Sequence, residues 1–271
     1  MVNKFNLSEF GVLLKSKTIG HSLANELHDV IDSTNTRCAE LAREGAPEGT
    51  VVFGRQQTAG RGRLGRQWLS PPDSGLYMSI LLRPSTTIGE LPAITLGIGV
   101  AVAKAIFATS GLRIGLKWVN DIICDDRKVG GILAEMPSGD RSKPALVIGI
   151  GINTRFDAKD IPDELKEKVY WLEAALGTEY DTNVLAAEIC QQVEEVYMSM
   201  QHGGTGKVLD EWRAFSVTLG QEVICTTPSR EVRGTAIDIN ESGALVVQTK
   251  NGREELLGGE ISVRTATGNY L

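Results

Sequence analysis

The chain is poor in the residues that build metal centres and disulfide scaffolds. Its 271 residues include four cysteines and three histidines. Cys38, Cys124, Cys190 and Cys225 are far apart, with no CxxC, and His21, His28 and His202 have no ligand-like neighbours. This argues against a Cys/His metal site and against a disulfide framework; single scattered cysteines read as small core residues of a reducing compartment. Positive charge is not in excess either. Lys and Arg total 28 against 34 Asp and Glu, a net charge of −6, which lowers the expectation of a nucleic-acid partner. No uninterrupted apolar run reaches the ~18 residues of a membrane span. The longest candidate, LPAITLGIGVAVAKAIFA (91–108), is broken by Lys104, and its glycines and alanines suit a buried helix. The N-terminus has no signal-peptide core or small-residue cleavage site, so a cytoplasmic location without membrane contact is expected. There is no internal repeat and no low-complexity tract. What remains, 42% hydrophobic and 23% charged residues, is an ordinary globular composition.

Periodicity predicts three stretches. Residues 1–25 form a leader, partly helical. From 26 to 218, strand patterns alternate with helical ones, as in an α/β or α+β domain. A strand end and turn are expected at DVIDSTN (29–35), a helix at 36–45, strands at 50–56 and 76–83, and a long helix at 89–110. Strands at 114–121 and 127–137 are joined by a turn at DDR, and another strand spans 144–153. Helices follow at about 163–176, 183–201 and 206–215. After Leu219 come short β-type runs separated by NESG and KNG, which predict a small antiparallel barrel over 219–271.

The most unusual stretch is TAGRGRLGRQW (58–68). Gly60 to Gly65 satisfy G-x-G-x-x-G, but the dinucleotide fingerprint needs a helix at the third glycine, and RQWLSPPDSG cannot supply one. HGGTGK (202–207) is no Walker loop, because its spacing is wrong and Val208 stands where Ser or Thr is needed. Two readings of the arginine–glycine loop stay open. One is a solvated basic or RGG-like nucleic-acid loop. The other is an anion clamp, in which glycines let backbone N–H groups approach a ligand, arginines grip phosphate or carboxylate, and Trp68 offers a flat face to a purine.

Other polar islands lie in apolar strands. LKWVND (116–121) places Lys117, Asn120 and Asp121 where a buried lysine wants an anionic partner, or where a lysine snorkels at a strand edge. Asn120 and Asp121 are also candidates to hold a Mg²⁺-bound nucleotide. The glycine pair Gly130-Gly131 marks a bulge, a close approach by a flat ligand, or mere twist. Gly149, Gly151 and Asn153 of GIGIN allow a ligand contact at a strand end, or a turn cap. Ser33, Thr34 and Asn35 are helix-cap candidates that also suit a neutral polar ring, with Gln57 nearby.

These islands, in this order, resemble the biotin–protein ligase family. The family pattern has D-S-T-N, Q-T-A-G-R-G-R-x-G-R-x-W, S-P-x-G-x-L-Y-x-S, K-W-P-N-D, K-x-x-G-I-L-x-E, G-x-G-I-N and G-G-E-I-S. The chain has DSTN (32–35), QTAGRGRLGRQW (57–68), SGLYMS (74–79), KWVND (117–121), KVGGILAE (128–135), GIGIN (149–153) and GGEIS (258–262). The match covers about residues 29 to 265.

The resemblance implies an α+β fold: a mixed sheet with helices on one side, like class II tRNA synthetase cores, followed by an SH3-like barrel. It implies activation of biotin by MgATP to biotinyl-5′-adenylate with release of pyrophosphate. The biotinyl group then passes to a lysine of a biotin carboxyl carrier domain. By the same resemblance, biotin is held by Ser33, Thr34, Asn35, Gln57, Gly62, Arg63, Lys117, Gly130 and Gly131. The nucleotide is held by Arg61, Arg63, Arg66, Trp68, Asn120 and Asn153. Lys117, Arg63 and Arg61 carry the catalysis, and Asp121 is a metal-ligand candidate; no general base is inferred, and the attacking amine loses its proton to water or to a nearby acid such as Asp121. Family members occur as monomers and as homodimers formed by sheet extension.

Two departures stand out. Val119 replaces the usual proline. Only about 25 residues precede the core, too few for the DNA-binding domain of some relatives, so an enzyme without a DNA-binding repressor role is expected. A lipoate or octanoate ligase on the same core, and a nucleic-acid binder using the RG loop, are the competing readings.

Overall fold

The computed structural model describes residues 4–84, 91–137, 144–157, 161–227, 229–258 and 261–265. After helix α1 (Leu7–Leu13), the core runs β1 (Glu26–His28), α2 (Thr34–Arg43), β2 (Val51–Gly54), β3 (Gly75–Leu82), α3 (Leu91–Ser110), β4 (Gly115–Lys117), β5 (Asp121–Cys124), β6 (Arg127–Glu135) and β7 (Leu146–Asn153). Then follow α4 (Asp163–Lys166), α5 (Leu172–Leu176), α6 (Thr182–Gln201) and α7 (Thr205–Phe215). The strands form one seven-stranded sheet in the order β1-β2-β3-β7-β6-β5-β4, with β1 and β2 parallel and the other neighbours antiparallel.

Side chains alternate across a strand, so each strand feeds two layers. Val51, Phe53, Ile80, Leu82, Ile148, Ile150 and Ile152 face the main core with α3, α6 and α7. Val52, Leu81 and Val147 face the other way and pack under Cys38 and Leu41 of α2 as a separate small core. Helices therefore lie on both faces, not on one as the resemblance implies, because α2 has its own apolar stripe to bury. α3 is long and apolar enough to cross a membrane by length and composition, yet its residues from Ala93 to Ala103 are buried in the core. Its small residues allow this: a Cβ on Gly97 would lie 2.7 Å from Met200 Sδ of α6. Trp212 of α7 is 1% exposed in the same core. Trp212→Ala should cost about 3–5 kcal/mol of stability, read as a lower denaturation midpoint with an unchanged slope.

Two elements differ from the sequence expectation. The strand at 114–121 is a hairpin: β4 turns at Trp118-Val119-Asn120, where the Trp118–Val119 peptide is cis, and returns as β5. The apolar run hid the turn, since no Gly or Pro marks it. The helix at 163–176 is two short helices, and between them Val169 bridges Lys128 in an extended segment, as its β-branched and aromatic run Val169-Tyr170-Trp171 prefers. The leader is helical at α1, tied to α6 by Asn6 N–H donating to Asn183 Oδ1 at 2.7 Å.

The C-terminal residues form a second, antiparallel sheet from β8 (Glu222–Thr226), β9 (Glu231–Ile239), β10 (Leu245–Thr249), β11 (Gly252–Leu256) and β12 (Ser262–Thr265), in the order β11-β10-β9-β8-β12. β11 and β12 are its edges, and no pairing closes them into a barrel among the described residues. Trp118 clamps this sheet to the core: its Nε1–H donates to Gly243 O at 3.0 Å and its N–H to Thr218 Oγ1 at 2.8 Å. This docking carries Ile261 to Arg264 to the functional cavity.

Candidate active site

The sheet face that carries α2 continues as the floor of a cavity of about 380 Å³. Along β7, Val147 lies under α2, and Gly149, Gly151 and Asn153 follow on the same face, all lining the cavity. A Cβ on Gly149 would stand 2.2 Å from Asn35 Oδ1, and one on Gly151 2.7 Å from Trp68 Cε2. The close approach that these glycines permit is thus made first by the protein's own Asn35 and Trp68. Gly149→Ala should displace Asn35, cost about 1–3 kcal/mol of stability and weaken any ligand at that end; thermal melts with and without ligand read both effects.

One end of the cavity is neutral and polar. Ser33 occupies the N-cap position of α2 but makes no side-chain capping bond. Gln57 caps the helix from a distance: its Oε1 accepts from Thr34 N at 2.9 Å, while its Nε2 donates to Ser70 Oγ at 2.9 Å. Ser79 Oγ lies 2.8 Å from Thr34 Oγ1 and 2.6 Å from Asn35 Oδ1. Asn35 Nδ2 donates to Glu135 Oε2 at 2.7 Å. Ser79 lies inside the SGLYMS motif, yet sequence reasoning gave it no role; its position on the face of β3 shared with Leu81 would have found it.

The other end is cationic. Lys117, 5% exposed, ends β4 and lines the cavity; burial pushes its ammonium down to about 8, with Asp121 pulling it back up. Lys128, which sequence reasoning also missed, lines the cavity, pairs with Asp121 and places its Nζ 5.2 Å from the Trp68 ring centroid. A bulge explains its orientation. The β5–β6 register shifts between Ile122 and Ile123, leaving Val129 unpaired, and this brings Lys128 beside Gly131 on the cavity face. Lys168 and Arg264 complete the basic wall.

The arginine–glycine stretch is a small hairpin. Trp68 N donates to Gly60 O at 2.9 Å, Gly62 N donates to Arg66 O at 2.7 Å, and Leu64 and Gly65 turn the chain with φ of 59° and 69°. Arg63 reaches inward: its Nη1 donates to Asn120 Oδ1 at 3.1 Å and its Nη2 to Ile261 O at 3.2 Å. Burial pulls its pKa down and Asp121 opposes that shift. Arg61 instead pairs with Glu135 at 2.9 Å, and Arg66 stands at the exposed rim.

The structure thus gathers Ser33, Thr34, Asn35, Gln57, Arg61, Gly62, Arg63, Arg66, Trp68, Lys117, Asn120, Asp121, Gly131 and Asn153 around one cavity. Gly130 does not join them; a Cβ there would meet Ile152 Cδ1 at 2.7 Å, on the core side. Asn153 also has a fastening role, its Nδ2 donating to Tyr170 O at 3.1 Å. Asp121 is committed to Lys128, and among the described residues no three His, Cys, Asp or Glu side chains gather as a metal site. Gly259 and Glu260 of GGEIS lie outside the described residues.

The sequence and the fold both match those of known proteins. The model of the Biotin/lipoate A/B protein ligase family matches residues 27–153, and that of the Biotin protein ligase C terminal domain matches 218–264. The Bifunctional ligase/repressor BirA of Bacillus spizizenii is 36% identical over 262 residues, covering 96% of this chain and 79% of that protein. The chain belongs to the biotin protein ligase family. The Biotin–[acetyl-CoA-carboxylase] ligase of Paracoccus denitrificans is 29% identical, covering 85% of this chain and 96% of that one. The structure of the biotin protein ligase from Aquifex aeolicus in complex with biotin and ATP superposes with a TM-score of 0.80 at 30% identity, covering 89% of this chain and 99% of that one.

Proposed function

We propose that this chain activates biotin with ATP to biotinyl-5′-adenylate, releasing pyrophosphate, and transfers the biotinyl group to a lysine of a biotin carboxyl carrier domain. The observation that carries this proposal is the division of one cavity into a neutral end (Thr34, Asn35 and Gln57, with the buried Ser79 behind Thr34 and Asn35) and a cationic end (Arg63, Lys117, Lys128). Biotin has the same polarity, a neutral ureido ring at one end and a carboxylate at the other. The ureido group needs several donors and acceptors and no charge. The carboxylate needs cations, and so does the α-phosphate it must attack.

In the first step a biotin carboxylate oxygen bonds to the α-phosphorus and pyrophosphate leaves. Lys117, Lys128 and Arg63 hold the two anions together and stabilise the charge that concentrates between them. Trp68, on the Gly131–Gly151 floor, gives the adenosine an aromatic neighbour, with Asn120 and Asn153 beside it. In the second step the carrier lysine amine attacks the acyl carbon and AMP leaves; Asp121 or water takes the proton. Magnesium enters as the counter-ion of the triphosphate. Among the described residues no three His, Cys, Asp or Glu side chains gather around a cation position, so the metal would be held chiefly by the phosphates. The hairpin over the cavity shields the adenylate from water. The four cysteines, all free and buried, accord with a cytoplasmic setting.

The test is pyrophosphate release from MgATP with biotin, and with octanoate as control acid. Release with biotin alone is expected. Release with octanoate instead would move the substrate to the lipoate side of the family, and none with either acid from folded protein would end the proposal.

A further inference from the structure

We propose that Glu135 is a positioning residue that couples the neutral end of the cavity to the arginine–glycine hairpin. This rests on the function proposed above. One carboxylate oxygen, Glu135 Oε2, accepts from Asn35 Nδ2 at 2.7 Å and from Arg61 Nη2 at 2.9 Å. Asn35 is fixed on its other side by Ser79, whose Oγ lies 2.6 Å from its Oδ1, and it rests in the space left by Gly149. Arg61 in turn belongs to the hairpin, bridging Gln67 across it. A ligand seated on Asn35 and Thr34 therefore shares a continuous run of hydrogen bonds with the hairpin.

The chemistry of the hub is asymmetric. Asn35 needs only an acceptor, which a glutamine in place of Glu135 would still offer. Arg61 needs the charge, and charge-assisted bonds are about twice as strong as neutral ones. The Arg61 and Glu135 side chains are 46% and 34% exposed, so their pair is screened and its share is modest. That suits a link that has to yield when the hairpin moves. Biotin at the neutral end holds Asn35, Asn35 holds Glu135, and Glu135 holds Arg61 and with it the closed hairpin.

Glu135→Gln separates the two contacts. Arg61, Arg63 and Arg66 are trypsin sites inside the hairpin, so limited trypsin digestion reads its opening without any catalysis. In unliganded protein, Glu135→Gln should speed hairpin cutting by up to about fivefold, with Glu135→Asp between it and wild type and the thermal midpoints of all three alike. Saturating biotin should protect wild type more than the glutamine variant. In steady state Glu135→Gln should raise KM for biotin while KM for ATP stays within about twofold. Combined with Arg61→Gln, it should raise KM no further than the larger single effect, since both remove one link. Wild-type cutting rates in Glu135→Gln, or additive effects in the double variant, would overturn the coupling. The digestion does not depend on turnover, and wild-type pyrophosphate release tests the ligase function separately, so the two failures are distinguishable.

Discussion

Replacing Arg63 with alanine should slow biotin-dependent pyrophosphate release by about 10²–10³-fold in kcat, with a smaller rise in KM for biotin. The magnitude is that of removing one preorganised donor from a site where charge builds up. Arg63 is placed for that task. Its side chain crosses from the hairpin into the cavity and is held by Asn120 Oδ1 at 3.1 Å and Ile261 O at 3.2 Å. Its orientation is therefore set before substrates arrive. Both anchors are neutral oxygens that hold the guanidinium at the cavity wall. Alanine removes the charge and also unties the hairpin from the second sheet, so adenylate should leak to water and the ratio of pyrophosphate released to carrier biotinylated should rise. Arg63→Lys should recover little, because an ammonium cannot reach two acceptors with a planar fork. Rapid-quench measurement of adenylate, with the thermal midpoint as control, separates these effects. An alanine variant with wild-type kcat would remove Arg63 from the catalytic group.

Much of this site was legible because its residues sit at strand ends and turns where apolar periodicity breaks. DSTN, the hairpin and GIGIN were visible as polar or glycine interruptions, and the structure gathers them around one cavity. The residues missed were hidden by rules that usually hold. Lys128 needed the bulge at Val129 to reach the cavity, and nothing in RKVGG fixes which side of a bulged strand a residue takes. Ser79 is a lone hydroxyl in an apolar strand, noticeable only once Leu81 is known to lie under α2. Arg264 comes from the second sheet, and its place follows from docking through Trp118, a contact between residues far apart in the chain. Trp68 illustrates the opposite case. The sequence identified it as an aromatic platform, and the glycines beneath it, at 131 and 151, were read separately; they form one feature, a ring lying on strand backbone.

Biotin affinity should fall about tenfold per pH unit above pH 8, approaching a roughly 300-fold loss near pH 10.5, because Lys117 must be charged to hold the carboxylate. Burial, with Lys128, Arg264 and Arg66 adding repulsion, pushes its pKa from 10.5 to about 8. An anion bound beside it favours the charged form, so binding takes up a proton. Calorimetry at pH 8.5 in two buffers of different ionisation enthalpy should show uptake of roughly three-quarters of a proton. The same shift sets a stability cost. Below pH 8 the lysine is protonated in both folded and unfolded states, and the folded state carries the full penalty of about 3 kcal/mol. Between pH 8 and 10.5 the folded state is already neutral while the unfolded chain still holds its proton, so the penalty falls as pH rises. Lys117→Met keeps most of the stem and removes the charge. It should raise unfolding stability at pH 7 by up to about 3 kcal/mol, abolish the proton uptake and weaken biotin binding. A methionine variant that loses stability would show that the ammonium is stabilised by its own partners in the fold, Asp121 among them, and wild type that binds biotin equally well at pH 7 and pH 10 would show that Lys117 does not hold the anion.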